Sequence, residues 1–142
     1  MKSKNKIDDF FKRLKKKVAE EQQEIISSSL RTLFNKSPHE GTNDYAKGEY
    51  DANHKISINH GPASAHHDAT GSPGISRLLI DNEIRKAQDI KSGDKVVIFN
   101  TTGHSVDVEY GADRSLTWQR DGDHPYRETK NTIKTRYQDV LK

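Results

Sequence analysis

The feature of this 142-residue chain that most constrains its fold is a long apolar stripe near its start. The three- and four-residue spacing of the stripe predicts one face of an α-helix. The helix should run from about residue 5 to residue 35, roughly 45 Å, and end at Asn35 and Pro38. Such a helix outreaches a small core, so it packs along a neighbouring element or subunit, or its Lys-rich first turns fray. The stripe comprises Ile7, Phe10, Phe11, Leu14, Val18, Ile25, Ile26, Leu30, Leu33 and Phe34.

Apolar residues are scarce in the chain as a whole. Only 30% of the residues are hydrophobic, against roughly 45–50% in ordinary globular proteins when glycine is counted, and the 9 glycines close part of that gap. We therefore expect an isolated subunit of marginal stability. Either some of the chain is disordered, or order is completed when subunits bury their surfaces against one another. The length fits one domain, which we predict over residues 1–142.

The absence of cysteine excludes a disulfide framework, a thiol nucleophile and cysteine-ligated zinc. No apolar run approaches the roughly 18–20 residues that a membrane helix needs. The Lys-rich start also lacks the apolar segment of a signal peptide. We therefore expect a protein made in the cytoplasm, with no membrane partner.

The net charge of +3 is distributed unevenly along the chain. Residues 1–17 hold eight basic side chains against Asp8 and Asp9, a net +6 that leaves −3 for the remainder. A basic end can meet nucleic acid, an acidic protein surface or only water. The candidate residues for contact with DNA or a partner are Lys12, Arg13, Lys15, Lys16 and Lys17.

The sequence from Pro38 to Gly74 is mostly polar. It predicts one strand at about residues 54–59, in which Ile56 and Ile58 face the same side. The following stretch of glycine, proline and histidine, about residues 59–74, predicts a mobile loop or a mobile projecting segment.

The second half of the chain predicts a helix, two strands and a final helix. A cap at Ser72 or Ser76 can start the helix, which should extend to about Gln88. A turn at residues 92–94 then leads to a short buried strand, residues 95–99, which forms a hairpin with residues 106–110. Pro125 suits the first turn of a helix over residues 126–141. The apolar stripes of the two helices are Ile75, Leu78, Leu79, Ile84 and Ala87, and Thr129, Ile133, Tyr137, Val140 and Leu141.

These elements predict an α+β fold, a small and mostly antiparallel sheet flanked by a long N-terminal helix, a middle helix and a C-terminal helix. The sequence offers little for catalysis. Four histidines in the middle of the chain, His54, His60, His66 and His67, lack the spacing of zinc ligands. Nucleophile-elbow and phosphate-loop motifs are absent from the sequence. We therefore expect no enzymatic activity, no metal and no cofactor.

One segment of the chain resembles a known family. Asn100-Thr-Thr-Gly-His104-Ser105-Val-Asp-Val-Glu109-Tyr110-Gly111 is similar to the N-x-x-x-Y-A-x-x-x-E-Y-G signature of tail-completion, or neck, proteins of tailed bacteriophages. His104 replaces the aromatic residue of the signature, and Ser105 replaces the small residue. Asn100 can hydrogen-bond the turn that it opens, and Gly111 permits a positive φ where the strand leaves the sheet.

Two further pieces of the family pattern occur upstream in the same order. Ser37, Pro38 and Gly41 resemble the Ser/Thr-Pro…Gly element that follows the first helix of the family. Asn53, Ile56 and Ser57 resemble its N-W-x-V-S strand, with His54 in place of the tryptophan. Similar landmarks downstream extend the resemblance over most of residues 7–142.

The resemblance implies a structural virion protein and no catalytic residues. Its function would be a homo-oligomeric ring, most simply a hexamer, at the neck of the virion. The ring would cap the tail-tube protein and receive the head-connector or adaptor proteins, with possible non-specific contact to passing DNA. The alternative hypothesis is a basic accessory protein that binds nucleic acid through its Lys-rich first helix.

Overall fold

The computed structural model describes residues 2–37, 49–60, 73–102, 111–114, 118–121 and 124–138. Its elements in chain order are α1 (Lys2–Lys36), α2 (Glu49–Ala52), β1 (His54–Ile58), α3 (Pro73–Lys86), β2 (Val96–Asn100), β3 (Gly111–Arg114), β4 (Trp118–Asp121) and α4 (Pro125–Arg136). A 3-10 turn, Ala87–Asp89, follows α3. The α+β fold with three main helices and antiparallel strand pairs is confirmed.

Helix α1 has 35 residues and is about 52 Å long at 1.5 Å per residue. Its second half packs against α3, α4 and β1. Leu30 is fully buried there and forms the core cluster with Ile56, Ala87 and Ile90. The core therefore lies beside one half of α1, and the other half extends past it.

Strands β1 and β2 pair antiparallel, with His54 opposite Asn100 and Ile58 opposite Val96. Ile56 and Ile58 both pack into the core cluster, as their alternation predicts. Val97 is 42% exposed, so the expectation of a fully buried second strand is wrong. Residues 103–110 lie outside the described residues, and the hairpin that we predict between residues 95–99 and 106–110 stays a prediction.

The buried face of α3 agrees with the predicted one only in part, since Ala87 belongs to the core cluster and Ile84 packs against it, as predicted. Ile75 and Leu78 are 51% and 55% exposed, although the apolar pattern places them in the core. Ser76, Ile80 and Glu83 are buried instead. The Glu83 carboxylate has a specific partner, since its Oε1 atom accepts a hydrogen bond from the backbone N–H of Ile56, 3.1 Å away. Glu83 Oε2 also lies 2.6 Å from Lys86 Nζ, which explains how a charge is tolerated on the inner face.

Several predicted boundaries change. Helix α3 begins at Pro73, so residues 73 and 74 are helical and do not belong to the predicted loop, and Ser76 lies inside the helix rather than at its cap. Residues 61–72 of the predicted loop lie outside the described residues. Helix α4 ends at Arg136 and not at residue 141, because Tyr137 has left the helical conformation, with φ −115° and ψ 27°. Pro125 occupies the first turn of α4 as predicted.

Three elements carry no clear signal in the sequence. Helix α2 is a single turn in a stretch for which we predict only a strand. Strands β3 and β4 pair antiparallel, with Gly111 opposite Asp121. Gly111 thus begins a strand whose partner the sequence pattern does not predict. The expectation that the preceding strand leaves its sheet at Gly111 stays a prediction, because residues 103–110 lie outside the described residues.

The outer end of the β1–β2 pair is closed by side-chain hydrogen bonds. Asn59 adopts a left-handed conformation, φ 63°, and its side-chain amide donates to Asp94 Oδ1 at 2.9 Å. The other Asp94 oxygen accepts from the backbone N–H of Lys91 at 2.7 Å. The predicted turn at residues 92–94 is confirmed, with Gly93 at φ +90°. The hydrogen bonds from Asn59 and Lys91 lower the pKa of the Asp94 carboxyl.

This turn predicts a specific pH dependence of stability. Because the folded-state pKa of Asp94 is depressed, its contribution is present above the unfolded pKa, about 3.9, and is lost as the pH falls through the folded value. The difference in unfolding free energy between wild type and Asp94→Asn should therefore be largest near neutral pH and shrink toward zero in acid. Urea denaturation at several pH values measures it. Asp81→Asn, at an exposed position of α3, is the control, and a difference that stays constant with pH would contradict the prediction.

Candidate functional site

A buried polar cluster joins five elements of the fold. His54, at the start of β1, is fully buried, and its Nε2 atom lies 2.7 Å from Ser37 Oγ at the end of α1. Its Nδ1 atom lies 3.1 Å from the Tyr126 hydroxyl of α4 and 3.2 Å from the Asn100 amide nitrogen of β2. The Tyr50 ring packs edge-on against the imidazole, with 4.9 Å between ring centroids. We name these five residues the His54 cluster.

Asn100 connects the cluster to the chain beyond β2. Its amide nitrogen donates to the carbonyl of Tyr50 at 2.8 Å, in addition to its contact with His54. Its oxygen accepts from the backbone N–H of Thr102 at 2.9 Å and from the Thr102 hydroxyl at 2.6 Å. The expectation that Asn100 bonds the turn that it opens is confirmed.

The hydrogen-bond directions in the cluster determine its chemistry. Ser37 Oγ lies 2.6 Å from the carbonyl oxygen of Leu33, which can only accept, so the serine proton points there. His54 Nε2 must then donate to Ser37, and Nδ1 accepts from its two neighbours. A general base has to accept the proton of its nucleophile. The Ser37–His54 pair has the opposite polarity and is buried, so it joins α1 to β1 and does not activate the serine.

The cluster brings together several residues that the family resemblance singles out. Ser37 and Asn100 are members, and the buried Asn53 accepts at Oδ1 from the Thr101 hydroxyl, 3.1 Å away. Ile56 lies in the core, whereas Ser57 donates to the exposed carbonyl of His60. Residues that lie outside the described part of the chain are Pro38, Gly41, His104, Ser105, Glu109 and Tyr110.

Sequence reasoning missed two members of the cluster. Tyr50 lies in a helical turn that we do not predict, and Tyr126 is interpreted only as a helix start. The signal that could have found the cluster is His54, which stands where the pattern that the sequence resembles has tryptophan. A buried histidine needs hydrogen-bond partners that tryptophan does not, and these must come from polar residues nearby in the fold.

The second candidate site is the first half of α1, residues 6–18, which we call the arm. Its five large apolar side chains, at positions 7, 10, 11, 14 and 18, are 37% to 56% exposed. The basic side chains predicted to contact DNA or a partner are also exposed and lie around this stripe. Phe10 and Phe11 contact each other edge to face, with 5.7 Å between centroids. The arm is thus an amphipathic helix whose apolar face is largely open to solvent.

A groove of about 410 Å³ lies beside the arm, where α1 meets the end of α4. Ile25 and Tyr137 provide its apolar lining, and the Tyr137 hydroxyl donates to Glu24 Oε1 at 3.3 Å. Its rim carries Lys17, Glu20, Glu21 and Glu24, so three of the four charges are negative. We call this feature the acidic groove.

Where side chains are described, no three histidine or acidic residues come close enough together to hold a metal ion. None of the described helices is long and apolar enough to cross a membrane. The candidate sites are therefore the His54 cluster, which holds the fold together, and the exposed arm with its neighbouring groove.

No protein-family model matches the chain, and no curated protein or solved structure matches it at a significant level.

Proposed function

We propose that this protein is a structural subunit of the ring at the head–tail joint of a tailed bacteriophage. In this role the ring, most simply a hexamer, caps the tail-tube protein and links it to the head-connector or adaptor proteins in the virion neck. The observation that carries the proposal is the arm, whose five large apolar side chains are 37% to 56% exposed on one helical face.

An exposed apolar stripe of this length has a cost in water, and burying it against another protein removes that cost. The chain is also poor in hydrophobic residues, at 30%, so contacts between subunits would supply stability that its own core lacks. Both features are typical of a protein whose function lies in its contacts.

The resemblance of the sequence to tail-completion proteins is the reason for proposing a ring at the head–tail joint rather than another assembly. Ser37, Asn53 and Asn100 match the family pattern, and in this fold they form hydrogen bonds that hold α1, β1 and β2 together. A signature made of such residues preserves a scaffold and requires no reaction. The structural role therefore agrees with the kind of residues that the signature contains.

The proposal predicts concentration-dependent assembly of the full chain. Light scattering should detect a discrete oligomer at high protein concentration, and negative-stain microscopy should reveal rings with a central channel. Added tail-tube protein should bind to the ring and stabilise it. A chain that stays monomeric at every concentration, with and without tail-tube protein, would contradict the proposal.

A second candidate function is non-specific binding of nucleic acid. The observation in its favour is that Lys12, Arg13, Lys15, Lys16 and Lys17 are all exposed on the arm. Phosphate contacts of this kind weaken steeply with salt. Salt-dependent DNA binding that disappears when the five residues become alanine, in a chain that forms no ring, would favour this function over the first.

A further inference from the structure

The arm and the acidic groove have complementary chemistry. The arm offers a continuous apolar stripe, and the groove offers an apolar floor at Ile25 and Tyr137. The arm is bordered by basic side chains, while three carboxylates, those of Glu20, Glu21 and Glu24, stand at the rim of the groove. We propose that the arm of one copy of this chain docks in the acidic groove of a second copy.

The arm cannot reach the groove of its own chain. Both include residues of α1, which is one continuous helix from Lys2 to Lys36, and Lys17 belongs to the arm and to the rim of the groove. A helix has a fixed rise and cannot fold back on itself without a break. A basic, amphipathic helix that binds in the acidic groove must therefore come from another molecule. A second copy of this chain carries such a helix, its arm.

The charges along the arm lie where a docked helix would present them. At 3.6 residues per turn, Lys6 and Arg13 lie along one edge of the apolar stripe, and Lys15 lies along the other edge beside Asp8. The three basic side chains are exposed. A helix that places its stripe on the groove floor would thus bring basic side chains to an acidic rim, which favours this partner over uncharged or acidic ones.

The intramolecular charge pair near the groove does not compete strongly with this contact. Lys16 Nζ and Glu20 Oε1 are 4.0 Å apart, and their side chains are 78% and 60% exposed. Exposed pairs at i, i+4 contribute little to stability. The Glu20 carboxylate is therefore free to exchange this partner for a basic side chain of a docked arm.

The contact joins two different surfaces, so it can form a closed ring when each arm reaches the next subunit. The same surfaces can also meet reciprocally in a two-fold dimer. The docking itself deepens the proposed ring function and rests on it for the ring geometry. The test below separates failure of the docking from failure of the ring.

Charge reversal tests the contact directly. One chain carries Lys6→Glu, Arg13→Glu and Lys15→Glu, and a second carries Glu20→Lys, Glu21→Lys and Glu24→Lys. Each alone places like charges together, and its self-association should weaken about tenfold or more. Mixing the two restores opposite charges at both contacts, so analytical ultracentrifugation should detect a mixed oligomer of near wild-type affinity.

A matched control reverses three exposed basic residues elsewhere. The variant Arg77→Glu, Arg85→Glu and Lys95→Glu changes the net charge by the same amount as the variant with the reversed arm. Its assembly should resemble that of wild type. Urea denaturation of every variant at low protein concentration checks that the monomer remains folded. Because all substituted positions are exposed, the unfolding midpoints should differ little.

The outcomes separate the two proposals. Wild-type rings that persist in both reversed chains would overturn the docking and leave the ring function in place. A wild-type dimer that is lost in each reversed chain and recovered in the mixture would support the docking and contradict the ring. A wild-type chain that is monomeric throughout would overturn both.

Discussion

Asn100→Leu is expected to lower the free energy of unfolding by about 3 kcal/mol, because leucine keeps the branched shape of asparagine and loses its hydrogen bonds. Asn100 makes four such contacts, with Tyr50, His54 and both the backbone and the side chain of Thr102. Each contributes about 1 kcal/mol net, and a buried partner left unsatisfied costs more. For a chain of this size the melting temperature should fall by about 10 °C.

Urea denaturation of the monomer at low protein concentration measures this loss. Ser57→Ala is the matched control, because Ser57 Oγ also donates a short hydrogen bond, 2.7 Å to the carbonyl of His60, but at an exposed site. It should cost less than about 0.5 kcal/mol. Equal destabilisation by the two substitutions would show that the His54 cluster contributes no more than a surface hydrogen bond.

His54→Phe separates the polar contribution of the cluster from its packing. Phenylalanine can retain edge-to-face contact with Tyr50 and Tyr126, whose rings lie 4.9 and 5.6 Å from the imidazole. It provides no acceptor for the Asn100 amide or the Tyr126 hydroxyl. A loss of stability comparable to that of Asn100→Leu is expected, since the same buried donors lose their partner.

The three main helices, α1, α3 and α4, could be predicted from the sequence because their signals are local. Residues 5–35 carry a stripe at helical spacing, and α1 occupies Lys2–Lys36. Pro125 marks the start of α4 for a reason internal to the helix, since its missing N–H costs nothing in the first turn. The alternation of Ile56 and Ile58 likewise predicts which side of β1 meets the core.

The burial of α3 could be predicted in this way only in part, at Ile84 and Ala87. Leu78 has the residue type of a core position but is 55% exposed, whereas Glu83 is 2% exposed. The reason is a long-range contact, the hydrogen bond from the backbone N–H of Ile56 to the Glu83 carboxylate. A pattern of apolar residues carries no information about a backbone donor that lies 27 positions away.

The candidate sites were predictable to different extents. The basic residues and the stripe of the arm are evident in the sequence, and their exposure is a consequence of where the core ends. The His54 cluster depends on residues from α1, α2, β1, β2 and α4, which only the fold brings together. The acidic groove depends in the same way on Tyr137, which lies 113 positions from its partner Glu24.

A pair of identical substitutions on α1 distinguishes the residues that hold the subunit together from those available for assembly. Leu30 is fully buried and packs with Ile56, Ala87 and Ile90. Leu30→Ala should lower the free energy of unfolding by about 2–5 kcal/mol, through lost burial and the cavity left behind. The total free energy of unfolding of a domain is about 5–15 kcal/mol. Because this chain is poor in hydrophobic residues, the loss should leave a part of the molecules unfolded.

Leu14→Ala makes the same change in the arm, where the leucine is 46% exposed. It should change the unfolding free energy of the monomer by less than about 0.5 kcal/mol, since little burial is lost and alanine favours helix. The substitution should instead weaken self-association. Sedimentation at concentrations where wild type forms oligomers measures this effect. If Leu14→Ala destabilises the dilute monomer as much as Leu30→Ala does, the arm is part of the subunit's own core and is not available to a second copy.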